Sequence, residues 1–347
     1  MSTSSGTRIS QNWIKTEAAG LTVDTGQTRF VIDAFRASPL AVITHGHADH
    51  ARAGHDHVIA TPETLAIMAA RYGENFTKKQ TPLAYGDSLQ LGDVRITMAP
   101  AGHVLGSAQI IIDHDGLRVI AAGDYKRKPD PTCTPFTPVA CDIFITEATF
   151  ALPVFSHPDP MDEIAKLLRS LTLFPHRCHV IGAYSLGKAQ RLIALLREAG
   201  YDDPIYLHGA QQKLCALYQD WGVDLGTLLP ATAGEKGKPR EDLKGKIVIA
   251  PPSALNDTWS RRLPDPLIIL ASGWMQIRQR AKQSGVELPL ILSDHADWND
   301  LLKTIDDIAP REVWVTHGRE DALIRALALK GINARALSLV GYEDDAE

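Results

Sequence analysis

The stretch ITHGHADHARAGH, Ile43 to His55, places His45, His47, Asp49, His50 and His55 within thirteen residues of a chain that holds 13 His in all. Either the stretch is a polar loop that happens to be His-rich, or it is the first half of a metal site. His45 and His47 alternate on an extended segment, so both rings can face one point. Asp49 and His50 open the following turn and can face a second point. One loop thus offers two ligands to each of two metal positions. Nitrogen and oxygen donors of this kind suit Zn²⁺, with Mn²⁺ or Fe²⁺ as alternatives.

A cluster of four cannot complete two sites, and the strand pattern says where further ligands come from. The apolar runs are short and rich in Val and Ile, which reads as strands. TRFVID ends at Asp33, LAVIT leads into His45, VRITMAPAG ends before His103, and LRVIAAG ends before Asp124. DIFIT ends before Glu147, LPLILSD leads to His295, and EVWVT ends before His317. Loops at one edge of a sheet, each carrying a chemistry-bearing residue, are how layered α/β folds build sites. His103 can complete the first metal position and His317 the second. Asp124 can bridge, since a carboxylate has two oxygens and a charge that screens the repulsion between cations. Asp49 and Asp124 are therefore placed in the catalytic set as well as among the ligands, around a water activated by two metals. His55 and His57 are read as ordinary polar side chains.

Helical periodicity lies between these strands, in TPETLAIMAARYG, DPMDEIAKLLRSL, GKAQRLIALLREAG, WNDLLKTIDDIAP and REDALIRALALKG. The pattern is mainly strands up to about residue 150, then alternating strands and helices, then strand–helix units whose ends again carry His. The expected organisation is an α/β fold in which residues 1–152 and 289–347 form one domain and 153–288 are inserted. The polar stretch 231–246 reads as a loop.

Composition narrows the function. Hydrophobic residues make up 44% and charged residues 22% of the 347, ordinary for a globular chain. No apolar run approaches the ~18 residues of a membrane span, and the first residues lack the apolar core of a signal peptide. Cys133, Cys141, Cys178 and Cys215 are scattered without CxxC spacing, which fits a reduced cytoplasm. The net charge of −5 argues against a protein that coats nucleic acid, so a nucleic-acid substrate would be held by local clusters such as Lys126-Arg127-Lys128 or Arg278/Arg280/Lys282.

HGHADH, GHVLGSA, AGDY and the distal THG resemble the metallo-β-lactamase fold. GAYSLGKAQR, TEATF and LSDHAD, with an insertion before the last, resemble its β-CASP nuclease branch, which includes RNA 3′-end-processing endonucleases and DNA-crosslink-repair nucleases. TEATFALPVFSHP, GAYSLGKAQR and ASGWMQIR are most similar to bacterial ligase-associated DNA exonucleases. The resemblance implies an αββα sandwich with an inserted β-CASP domain. It implies two divalent metals, one on His45, His47 and His103, the other on Asp49, His50 and His317, with Asp124 bridging. Asp33 matches an aspartate that steadies a ligating His. His295 matches a histidine that protonates the leaving oxygen, and Glu147 its carboxylate partner. The implied activity is DNA exonuclease in repair, 5′→3′ by analogy with the crosslink-repair relatives, in association with a ligase. His317 departs from the eukaryotic DNA-specific pattern, where an aliphatic residue is typical, and leaves DNA versus RNA open.

Two further stretches read as phosphate contacts. In VIGAYSLGKAQR a strand runs into Ser185, Gly187 and Lys188 before a helix, which suggests an anion site at a helix start holding a 5′-terminal phosphate. The spacing is not that of a P-loop, so an ATPase is rejected. ASGWM adds Ser272 and a stacking surface on Trp274. A small-molecule metallo-hydrolase would not need the insertion or the Lys188 loop. A non-catalytic scaffold should have lost ligands, and all seven are present.

Overall fold

The computed structural model of the chain describes residues 11–231, 240–283 and 285–337. Half of the 231–246 stretch expected as a loop, residues 232–239, lies outside these residues. Two compact units are present. Within the described residues, the first comprises 11–129, 133–156 and 295–337, and the second 130–132 and 157–294 apart from the undescribed positions.

The first unit contains two sheets. One runs in chain order from β1 (Ile14–Glu17) through β2 (Gly20–Asp24), β3 (Arg29–Ile32), β4 (Ala41–Val42) and β5 (His57–Ala60) to β6 (Lys79–Pro82). The other contains β7 (Ser88–Leu91), β8 (Val94–Pro100), β9 (Ala108–His114), β10 (Leu117–Ala121), β11 (Ile143–Ala148), β18 (Glu312–Gly318) and β19 (Asn333–Ala336). Its order is β19-β18-β11-β10-β9-β8-β7.

Side-chain alternation along these strands produces the layers. Ile32, Val42 and Ile59 of the first sheet pack with Ile110, Ile112, Val119, Ile143 and Ile145 of the second in one buried core. The intervening residues face outward. Val31, Ala41 and Val58 meet Leu65 and Met68 of helix α1 (Pro62–Tyr72). Ile111, Ile120, Phe144 and Val313 meet Leu301 and Ile305 of α6 (Trp298–Ile308) and Leu323 and Leu327 of α7 (Glu320–Leu329). Helix, sheet, sheet, helix is the expected sandwich. Each fully buried Val, Ile, Leu or Phe contributes roughly 1.5–3 kcal/mol, so a one-residue slip of any strand would exchange its two faces and forfeit several such terms.

The second unit is an all-parallel sheet in the order β14-β13-β15-β12-β16-β17, made of β12 (Cys178–Gly182), β13 (Ile205–Leu207), β14 (Leu228–Pro230), β15 (Ile247–Ala250), β16 (Pro266–Ala271) and β17 (Leu288–Leu290). Its helices are α2 (Pro160–Leu173), α3 (Lys188–Glu198), α4 (Gly209–Asp220) and α5 (Arg278–Gln283). α4 was not visible in the apolar periodicity. The insertion was expected to end at residue 288, but β17 pairs in parallel with β16, and the unit runs on to Asp294. Ladder pairing, which periodicity cannot report, decides to which sheet a three-residue strand belongs.

Candidate metal centre

Strand ends of the first unit deliver the expected residues to one place. Beyond β4, the loop places His45 and His47 with His45 Nε2 3.1 Å from His47 Nδ1. Beyond β8, His103 brings Nε2 to 3.0 Å from the same His47 Nδ1. Beyond β10, Asp124 Oδ2 lies 3.5 Å from His45 Nε2, 3.4 Å from His50 Nε2 and 3.8 Å from His103 Nε2. One carboxylate oxygen therefore touches both halves of the cluster. His45, His47, His103 and Asp124 each offer a donor atom, all within 4.8 Å of one another. In the other half, Asp49 Oδ2 is 3.3 Å from His50 Nε2, and the His317 ring centroid is 5.7 Å from that of His50.

His317 owes its place to an irregularity. β11 and β18 pair in register up to Thr146 and Val315, then resume at Ala148 and Gly318. Glu147 thus faces two residues, Thr316 and His317, and His317 takes a left-handed backbone with φ 57°. A bulge of this kind re-aims a side chain that the regular pleat would send elsewhere. Both Glu147 and His317 depend on it.

Asp33 ends β3, also in the left-handed region, with φ 45°. It accepts from the Thr44 N–H at 2.7 Å and the Thr44 hydroxyl at 2.6 Å, and pairs with His50 Nδ1 at 2.8 Å. The Thr44 hydroxyl spends its proton on Asp33, so it accepts from His45 Nδ1, 3.0 Å away. One buried aspartate thereby fixes His50 directly and His45 through Thr44, turning both Nε2 atoms to the centre. Thr44 was missed in the sequence, where nothing distinguishes it from a strand Thr. Asp33→Asn keeps the left-handed backbone, which Asn tolerates, but replaces one acceptor oxygen with a donor. It should weaken metal affinity by about 10- to 100-fold, measured by competition with a chromophoric chelator. Unchanged affinity would remove Asp33 from the centre.

The electrostatics suit cations. Burial would raise the Asp124 carboxyl, but the neighbouring imidazoles, His50 foremost with His295 and His45, together hold Asp124 well below the usual range. Asp49 is lowered in the same way, against burial, by His50. Burial would lower His50, yet Asp49, Asp124 and Asp33 together raise it well above an ordinary His. Burial pushes His45 well down and His317 to about 4, so both are neutral donors near pH 7. Three carboxylates converging on one imidazole, with neutral imidazoles around them, form a donor set for divalent ions.

Basic residues hold the ligand loops by their backbones. Arg71 Nη1 donates to the Gly46 carbonyl at 2.7 Å, between His45 and His47. Gly46 itself packs so tightly on α1 that a Cβ there would lie 2.5 Å from Ile67 Cγ2. Lys126 Nζ, buried, donates to the His103 carbonyl at 3.2 Å. Arg127 pairs with Asp307 at 2.6 Å and Lys128 with Asp297 at 3.6 Å. The Lys126-Arg127-Lys128 run read as a phosphate cluster is thus committed to the protein's own carbonyls and carboxylates.

Beside the ligands, His295 Nδ1 lies 2.9 Å from Glu147 Oε2, and Glu147 Oε1 accepts from the Tyr125 N–H at 2.9 Å. Asp124, Glu147 and His295 form a second cluster of converging donor atoms. The His295 ring centroid is 4.7 Å from that of His103. Burial raises the Glu147 carboxyl, opposed by His295 beside it.

The phosphate contacts expected in the second unit are corrected. Lys188 is fully buried, and its ammonium donates to the Leu292 carbonyl at 3.2 Å and pairs with Asp294 at 3.4 Å. The Gly187 N–H donates to Gln190 Oε1 at 2.8 Å, and Gln190 Nε2 donates to the Ser185 carbonyl at 3.0 Å. Gln190 therefore takes the place an anion would need at the start of α3. Ser272 is buried and accepts from the Trp274 N–H at 3.2 Å. The Trp274 ring is half-buried under the Arg280 guanidinium, 4.0 Å from its centroid.

Residues 289–336 match the family described as Zn-dependent metallo-hydrolase RNA specificity domain. A protein named Probable DNA ligase from Opitutus terrae is 28% identical over 314 residues, 88% of this chain and 29% of that protein. Endoribonuclease ysh1 of Emericella nidulans is 34% identical over 143 residues, 38% of this chain and 16% of that protein. Cleavage and polyadenylation specificity factor 73 of Drosophila melanogaster is 25% identical over 279 residues, 67% of this chain and 41% of that protein. The chain thus spans well under half the length of each. A crystal structure of an Enterococcus faecalis protein of unknown function has the same fold, with TM-score 0.58 at 14% identity, covering 87% of this chain and 93% of that one.

Proposed function

We propose that this chain, a member of the β-CASP nuclease branch of the metallo-β-lactamase fold, is a DNA exonuclease that works in repair beside a ligase. The coarser statement, a metal-dependent hydrolase of a nuclease family, rests on the matched family and on the His/Asp cluster. The finer one is carried by a single observation. Similarity to the protein named Probable DNA ligase extends over 88% of this chain, while leaving most of that larger protein for other chemistry. A nuclease joined to a ligase would trim ends that the ligase then seals.

His45, His47, His103 and Asp124 would hold one divalent ion, and Asp49, His50, His317 and Asp124 the other, with Zn²⁺ first and Mn²⁺ or Fe²⁺ as alternatives. A bound pair supplies Lewis acidity toward water and toward phosphate oxygens. Glu147 on Nδ1 makes that nitrogen the N–H side of His295, so Nε2 carries the transferable proton when the ring is cationic. Attack of water on phosphorus breaks the P–O bond, and the departing sugar oxygen takes its proton from His295 Nε2. Because Lys188 is buried, it lends no support to a 5′→3′ direction. Among the described residues no helix is long and apolar enough to cross a membrane.

An RNA-cleaving reading is favoured by the matched RNA specificity description and by His317. End-labelled DNA and RNA of one sequence, in single-turnover assays with Zn²⁺ and Mn²⁺ tested separately, decide between them. Faster shortening of DNA from an end is expected. A clear RNA preference, or internal cuts only, would overturn the DNA exonuclease reading.

A further inference from the structure

Lys188 and Arg191 lie one turn apart on α3 and are both almost completely buried. Their partners are unusual for buried cations. Lys188 Nζ donates to the Leu292 carbonyl at 3.2 Å and lies 3.4 Å from Asp294 Oδ2. Arg191 Nη1 donates to the Ser293 carbonyl and lies 3.2 Å from Asp294 Oδ1, while Nε faces Asp130 Oδ2 at 3.4 Å. Asp130 and Asp294 are buried as well, and Asp130 is fixed by the N–H and hydroxyl of Thr132. Two cations and two carboxylates balance. Three successive residues, Leu292, Ser293 and Asp294, are gripped by backbone carbonyl or side chain, and the next residue in the chain is His295.

Desolvating four charges is a costly way to hold a loop, and apolar packing of equal volume would often stabilise as well or better. What it provides is direction. A planar guanidinium offers donors at fixed angles, and carbonyls meeting it have little freedom to rotate. We propose that Lys188, Arg191 and Asp294 are positioning residues for His295, setting the backbone from which its ring reaches the leaving oxygen. They act through that backbone and touch no substrate. The proposal rests on the reading of His295 as the proton donor.

Two substrates separate this from mere folding. In a single-stranded oligonucleotide the leaving group is a sugar alkoxide, which needs a proton. In the p-nitrophenyl ester of thymidine 5′-phosphate the leaving group is a weakly basic nitrophenolate, which departs without one. Arg191→Lys keeps a cation but loses the fork, and Asp294→Asn keeps the volume. Should one of them fail to fold, the other carries the measurement. Each should lower kcat on the oligonucleotide by about 10- to 100-fold, a part of what a general acid contributes, with KM and bound metal unchanged. The aryl ester should be cleaved within about threefold of normal, since the acid it bypasses is the only group displaced. Amide exchange should quicken at residues 292–296 and not elsewhere. Added to His295→Ala, neither change should cost further, because residues acting through one group are not additive. Equal loss on both substrates, loss on neither, or unchanged exchange at 292–296 would overturn the proposal. If His295→Ala itself spared the oligonucleotide, the reading of His295 would fail instead.

Discussion

Asp124→Asn is expected to lower turnover by at least about 100-fold, the scale of losing a large preorganised electrostatic contribution, and to reduce bound metal. Asp124 Oδ2 lies within 4 Å of the Nε2 atoms of His45, His50 and His103 together. Asn fills the same volume, so the buried loop after β10 should keep its shape. The negative charge between the two halves of the His/Asp cluster would be gone. Metal per chain by mass spectrometry and single-turnover cleavage, run on the same preparation, test this. Near-normal turnover with bound metal undiminished would remove Asp124 from the centre.

The candidate ligand cluster was legible because its residues do not depend on long-range packing for their meaning. HGHADH puts four donors in one loop, and His103, Asp124 and His317 each follow a run that could only be a strand. Alternation fixes which face of a strand is buried, and so which end residues share an edge. The bulge at Glu147 and His317 was not legible, because a register shift belongs to the pair of strands β11 and β18 and to neither sequence alone. Thr44 was invisible for the same reason, since its role exists only once Asp33 stands beside it.

The basic residues show the opposite failure. Lys126 and Lys188 were read as facing phosphate, and both face inward. A positive charge beside glycines and a helix start looks alike in sequence whether its counterion is a substrate or a distant carboxylate. For Arg191 the carboxylate is Asp294, 103 positions on. No local pattern carries that information. The net charge of −5 was the better guide, because it already implied that few cations would be left for a nucleic acid.

His295→Ala is expected to lower oligonucleotide cleavage by about 100- to 10,000-fold, the range of a positioned general acid, while leaving metal content unchanged. Glu147→Gln should cost somewhat less, since a neutral amide can still meet Nδ1 but no longer favours the imidazolium. Burial works against Glu147 carrying charge, and His295 beside it is what favours the carboxylate. Each member therefore supports the charged form of the other at 2.9 Å, and removing either disables the pair. The double variant should then be hardly slower than His295→Ala alone, because groups that act as one unit are strongly non-additive. The three rates, measured beside metal content, separate this from a ligand role. If His295→Ala lost a metal, the ring would belong to the ligand set and not to the leaving group. If the two substitutions multiplied instead, Glu147 would have a task independent of His295, for which its other hydrogen bond, to the Tyr125 N–H, is the place to look.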